Sequence, residues 1–220
     1  EWIGAYWSDS DLGNAEETVA MDATIEVSRD TDFYAVFNRE VVATKYVYPG
    51  TESEVTGLAT LNASGKKAGA TINLGTATDV TKDGKTWSLK EWTTSNDLTE
   101  GTVAEPNKSI ELYKDTTYYA LYKNNLNMTA HYMSEAGNAT SQIIGGTARL
   151  TYDGQTTTGE GAELPTLANV IKDNTTWVPV GYLSSADGYT IADIRGSIAG
   201  KGGDVVTATN DISYFAIYEA

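Results

Sequence analysis

The feature that most constrains this chain is that it repeats itself, and a missed repeat would misassign the whole architecture. Three segments share one pattern of aromatic, aromatic, Ala, aliphatic, aromatic: Phe33-Tyr34-Ala35-Val36-Phe37, Tyr118-Tyr119-Ala120-Leu121-Tyr122 and Tyr214-Phe215-Ala216-Ile217-Tyr218. Each follows a β-branched stretch and an Asp: Thr24-Ile25-Glu26-Val27 with Asp30, Ser109-Ile110-Glu111-Leu112 with Asp115, and Val205-Val206-Thr207 with Asp211. Upstream, Trp2 and Trp7, Trp87 and Trp92, and Trp177 and Tyr182 recur with equal internal spacing. Two unrelated motifs in the same order define a module.

The first halves of two copies also match. Leu74, Thr76, Val80, Lys82, Asp83, Thr86 and Trp87 recur at one offset as Leu164, Thr166, Val170, Lys172, Asp173, Thr176 and Trp177. Gly57, Ala59, Leu61 and Gly65 pair with Gly146, Ala148, Leu150 and Gly154. The chain therefore divides into the C-terminal half of a module (1–41), a complete module (42–126) and a second complete module (127–220). A half-module exposes apolar edges that a whole one would cover, and unpaired edges recruit partners.

Gly, Thr, Tyr and Trp in quantity with only 4 Pro favour extended chain, so the class is mainly β. Hairpins are expected to turn at Ala63-Ser64-Gly65 and Tyr152-Asp153-Gly154. In the connectors 76–86 and 166–176, Leu167, Val170 and Ile171 at helical spacing predict at most one short helix per module, ended by Asp83-Gly84 or Asp173-Asn174. The closing aromatic strand is apolar on both faces, which asks for a central place in a sheet or cover from a neighbouring module. Its repeated Ala predicts close approach of another element.

A net charge of −15 lacks the basic face that nucleic acid or an anionic membrane requires, and no apolar run is long enough to span a bilayer. With no Cys there is no thiolate chemistry, and a single His, His131, leaves little for general-base catalysis or a multi-histidine metal site. No cofactor is expected, and the reading is non-enzymatic. The opening Glu1-Trp2-Ile3 reads as a piece of something longer.

The Trp strand and the Tyr-Ala strand together resemble the Listeria-Bacteroides repeat, a relative of the internalin B repeat. Gly181-Tyr182 and Tyr214–Tyr218 match that pattern best, while Glu91-Trp92 and Tyr6-Trp7 replace the expected Gly. The resemblance covers the second half of each module better than the first. It implies tandem β-grasp-like modules with antiparallel or mixed sheets on exported proteins of Gram-positive and gut bacteria. It also implies a stalk or adhesive role at the cell wall or outside the cell, with no catalytic residues. Expected partners are a host or neighbouring-cell surface protein or glycan, or copies of the chain itself. Two alternatives stand beside it: a filament subunit completed by strand addition, and a glycan-binding accessory region of a secreted enzyme.

Recurrence of the aromatic pairs at module-invariant positions points first to core packing. Beside it, Trp7, Trp92 and Tyr182 are the better exposed candidates for stacking on sugar rings, since their spacing places them opposite Trp2, Trp87 and Trp177 in a regular strand. A bulge would reverse that face assignment. Ser8-Asp9-Ser10-Asp11-Leu12-Gly13-Asn14 has the alternating carboxylates of a calcium loop, but Thr94-Ser95-Asn96-Asp97 and Ser184-Ser185-Ala186-Asp187-Gly188 do not keep them, so a polar turn is expected and no metal site. His131 is expected as a strand residue. Sequons begin at Asn62, Asn107, Asn127, Asn138 and Asn174, and no Lys, Asn and acid recur together as an isopeptide triad.

Overall fold

The computed structural model describes residues 1–11, 17–97, 103–184 and 198–220. The protein is mainly β, with mixed and antiparallel sheets and no helix among the described residues. Among the described residues no helix is long and apolar enough to cross a membrane. The leading segment supplies β1 (Ile3–Ser8), β2 (Thr18–Ala20) and the long β3 (Tyr34–Val47). Then come β4 (Thr51–Asn62), β5 (Lys67–Ala68), β6 (Ala70–Asn73), β7 (Val80–Lys82), β8 (Lys85–Thr93), β9 (Val103–Ala104), β10 (Ser109–Leu112) and β11 (Thr116–Asn125). The last stretch holds β12 (Met128–Met133), β13 (Ala139–Ile143), β14 (Thr147–Thr151), β15 (Thr156–Thr158), β16 (Ala162–Glu163) and β17 (Val170–Lys172). It closes with β18 (Thr175–Leu183), β19 (Ile198–Gly200), β20 (Val205–Val206) and β21 (Ile212–Glu219).

Two compact units form, one from Glu1–Thr78 with Leu89–Leu121, the other from Asp79–Ser88 with Tyr122–Ala220. In the first unit β3 is the spine. It pairs antiparallel with β1, antiparallel along its whole length with β4, and in parallel with β11, where Thr116↔Ala43 leads to Tyr119↔Tyr46. Apart from this sheet, β6 pairs with β10 and buries Ala70, Ile72 and Leu112. In the second unit the sheet order is β13-β12-β21-β18-β17. Here β12 and β21 are parallel and their neighbours antiparallel, and β16 pairs with β20 as β6 does with β10.

Side chains repeat along with strands. Asp115 accepts the N–H of Val42 at 3.1 Å, and Asp211 accepts the N–H of Asn127 at 3.0 Å, so the recurring Asp of each copy caps the entry to its first strand. Tyr46 stacks on Tyr119 with centroids 5.5 Å apart, and His131 stacks on Phe215 at 4.6 Å, in both cases across the parallel strand pair. The turns that follow β4 and β14 are alike: Asn62 and Thr151 accept, through side-chain oxygens, the N–H groups of Lys66 and Gln155.

The connectors, whose spacing allows a short helix, hold strands instead. Residues 80–82 and 170–172 are strands that pair with 85–87 and 175–177 in tight hairpins. The turn residues Asp83 and Gly84 have φ of 53° and 71°, and Asp173 and Asn174 have 50° and 56°. Paired left-handed residues fit the twist of a two-residue hairpin, so these dipeptides join strands rather than end a helix.

Residues 21–33 hold no strand, and Ile25 and Val27 are 38% and 60% exposed. Their counterparts Ile110 and Leu112 lie in β10, paired to Ile72 and Ala70 of β6. The leading segment has no such partner among the described residues. It is covered elsewhere by the end of β4, whose Gly57–Asn62 pairs with Val36–Val41.

Candidate functional site

Trp92 and Tyr182, the candidates for exposure, are both fully buried, as the core-packing reading requires. For Tyr182 the strand carries a register shift inside the aromatic pair: β18 skips a residue between Pro179 and Gly181, as β1 does between Gly4 and Tyr6 ahead of the half-buried Trp7. An extra residue reverses the alternation of faces, so equal spacing no longer means opposite sides. Gly181 sits in this bulge at φ 154°, where a Cβ would stand 2.8 Å from the Gly200 carbonyl oxygen.

The buried tips are hydrogen-bonded in matching ways. Trp92 Nε1–H donates to the Gly75 carbonyl at 3.1 Å, and the Tyr182 hydroxyl donates to the Pro165 carbonyl at 3.0 Å. Each acceptor lies just past a fully buried Leu, Leu74 or Leu164. The pair thus pins the chain where it leaves β6 or β16. Burial, then the nearby Tyr218 and Tyr132 hydroxyls, push the Tyr182 phenol well above its ordinary range. Trp7 is half-buried, and its Nε1–H reaches the Met21 carbonyl at 3.4 Å. In the first unit Lys45 lies over the Trp92 ring, 5.5 Å from the centroid, and donates to the Leu74 carbonyl at 2.9 Å.

The remaining sequence candidates serve the fold. The Ser8 hydroxyl accepts the Ser10 N–H at 3.1 Å, as Thr93 accepts that of Ser95 at 3.1 Å, which makes this a hydroxyl-capped turn. Asp11 bonds Asn62 and Lys66. Residues 12–14 and 185–188 of the calcium-loop comparison lie outside the described residues. His131 is half-buried in β12 against Phe215. Of the sequons, Asn62 is buried, and Asn107 and Asn174 take left-handed turn conformations.

One apolar surface went unnoticed in the sequence. In the second unit Met133, Lys172, Trp177, Ala216, Ile217 and Tyr218 line an open groove of about 360 Å³. Trp177 is 37% exposed there, and β21 meets β12 only as far as Phe215. The Tyr218 hydroxyl accepts the Met133 N–H at 3.2 Å and holds the groove's far wall. Indole, aliphatic strand and a single Lys cation suit an apolar, extended partner. The signal in the sequence was the closing strand apolar on both faces. No protein-family model, curated protein or solved structure matches the chain.

Proposed function

We propose that the chain is a non-enzymatic tandem-repeat segment of a bacterial cell-surface or secreted protein, acting as a stalk or adhesive binding module built from β-grasp-like units. The observation that carries this reading is that what recurs from copy to copy is scaffold. The Trp92 and Tyr182 pins, the Asp115 and Asp211 caps and the two aromatic stacks all hold strands together. Parallel first and last strands at the centre of a mixed sheet, flanked by antiparallel neighbours, accord with a β-grasp plan. The sole histidine is engaged with Phe215, and a net charge of −15 keeps an exported array soluble and its modules apart.

Labelling intact cells of the source organism with an antibody to this chain tests the surface placement; labelling only after lysis would sink it. Adhesion is tested with beads carrying the chain, against arrays of host proteins and glycans. The filament reading draws on exposed Ile25 and Val27, which among the described residues have no counterpart of the strand paired with Ile110 and Leu112. Light scattering decides that point: assembly of the native chain that Val27→Lys abolishes would favour filaments over a stalk.

A further inference from the structure

The same surface is covered in one copy and open in another. Trp87, Ala120, Leu121 and Tyr122 are each 3% exposed or less. Their counterparts Trp177, Ala216, Ile217 and Tyr218 are all half-buried or exposed, and they border the groove. Residue types match, so the difference lies in what lies across them.

The chain shows what that cover is. On the leading closing strand, Val36↔Asn62, Phe37↔Leu61 and onward to Val41↔Gly57 pair antiparallel with the second strand of the next copy's first hairpin. Val36, Val41 and Ala59 are 1%, 0% and 0% exposed beneath this pairing. On the middle closing strand, β14 is the neighbour of β11, and the Leu126 N–H donates to the Gly146 carbonyl at 2.9 Å. Ala148 and Leu150, equivalent to Ala59 and Leu61, are both 0% exposed. No strand stands in this position beside Ala216–Tyr218 among the described residues.

We infer that the groove at Trp177 and Tyr218 is the acceptor for the first hairpin of a further module of this kind. Its second strand carries the pattern Gly-x-Ala-x-Leu, as in Gly57-Leu58-Ala59-Thr60-Leu61 and Gly146-Thr147-Ala148-Arg149-Leu150. The small Gly and Ala allow close strand approach, and the Leu fills the pocket over the indole. The inference rests on the serial-module part of the proposed function and not on its surface or adhesive part.

The test appends residues 38–68, which contain a complete hairpin and no Trp, after Tyr218 of the otherwise native chain. In this register Tyr218 takes the place of Phe37. Amide exchange at 216–218 is expected to slow at least tenfold against the native chain. Acrylamide quenching of Trp177, isolated by difference with Trp177→Phe, is expected to fall by half or more. Unchanged exchange and quenching overturn the inference. So does equal protection from an appended segment carrying Ala59→Lys and Leu61→Lys, since pattern recognition would then play no part. Sedimentation of the native chain supplies another route to refutation: a dimer that shields Trp177 would make a second copy the occupant. A groove that accepts the hairpin in a protein confined to the cell interior would overturn only the surface reading.

Discussion

Replacing Tyr182 by Phe isolates one atom of the pin. The ring, fully buried, stays in place, and only the hydroxyl that donates to the Pro165 carbonyl at 3.0 Å is lost. A typical net hydrogen bond contributes roughly 0.5–1.5 kcal/mol, and a stranded buried acceptor raises the loss to about 1–3. Pro165 is half-buried, so water reaches part of its carbonyl, and the lower half of that range applies: about 1–1.5 kcal/mol. For a unit of this size that is a fall in melting temperature of roughly 5–10 °C. Calorimetry on the parent, Tyr182→Phe and Tyr132→Phe is the assay. The Tyr132 hydroxyl donates to the Gln142 side chain at 3.4 Å in an exposed contact, and its variant should lose far less than Tyr182→Phe. If Tyr182→Phe melted within experimental error of the parent, or if both variants lost the same amount, the pin would be decorative and the explanation of the repeated aromatic wrong.

Further outcomes follow from the same contacts. Burial raises the phenols of Tyr118, Tyr182 and Tyr214 above the ordinary 10.0. The folded chain therefore keeps protons that the unfolded chain has lost: their contribution is complete below pH 10 and drains away as pH rises above it. Phenolate absorbance should show these three silent until the fold melts at alkaline pH, whereas ionisation before melting would contradict their burial. Asp211→Ala removes the cap on Asn127 and should cost about 0.5–1.5 kcal/mol in chemical denaturation, while Asp211→Asn, which keeps an acceptor, should cost less. Gly181→Ala places a Cβ against the Gly200 carbonyl oxygen and should destabilise the second unit by about 1–3 kcal/mol in urea titration. Trp87→Ala should cost roughly 3–5 kcal/mol and Trp177→Ala well under half of that, because only the former ring is enclosed.

The repeat was legible because it is written in residue types: aromatics, an Asp and small residues at fixed places, each with a local reason to be there. The hairpins at Asp83-Gly84 and Asp173-Asn174 were legible too, and were misread. Val170 and Ile171 fit a helical stripe as well as a short strand, and periodicity over so few residues does not separate the two. The turn dipeptide was the better guide. The buried face of Tyr182 was not legible from strand alternation, since a one-residue bulge changes no composition and yet inverts every side chain beyond it. The groove escaped for a different reason. Trp177 and Trp87 sit in the same local pattern, and under the docking proposed above their exposure depends on a strand distant in sequence.

That dependence also bears on where the chain can be cut. By sequence the middle copy ends near residue 126, yet Asp79–Ser88, with Trp87 at 3% exposure, belongs to the compact unit formed by Tyr122–Ala220. The hairpin of one copy is thus completed by residues of the next. Within that unit Lys85 lies 3.8 Å from Asp211, and the Lys85 ammonium donates to the Asn210 side chain at 3.3 Å. A chain ending at residue 126 keeps every residue of the middle copy but loses this surrounding. Its Trp87 should become as accessible as Trp177 is in the parent, with red-shifted emission and faster amide exchange across 85–88. The first unit, built from Glu1–Thr78 and Leu89–Leu121, should keep its exchange pattern, since every residue assigned to it is retained. If Trp87 stayed buried in the shortened chain, each sequence copy would be self-sufficient. The open surface at Trp177 would then need an explanation other than a missing neighbour.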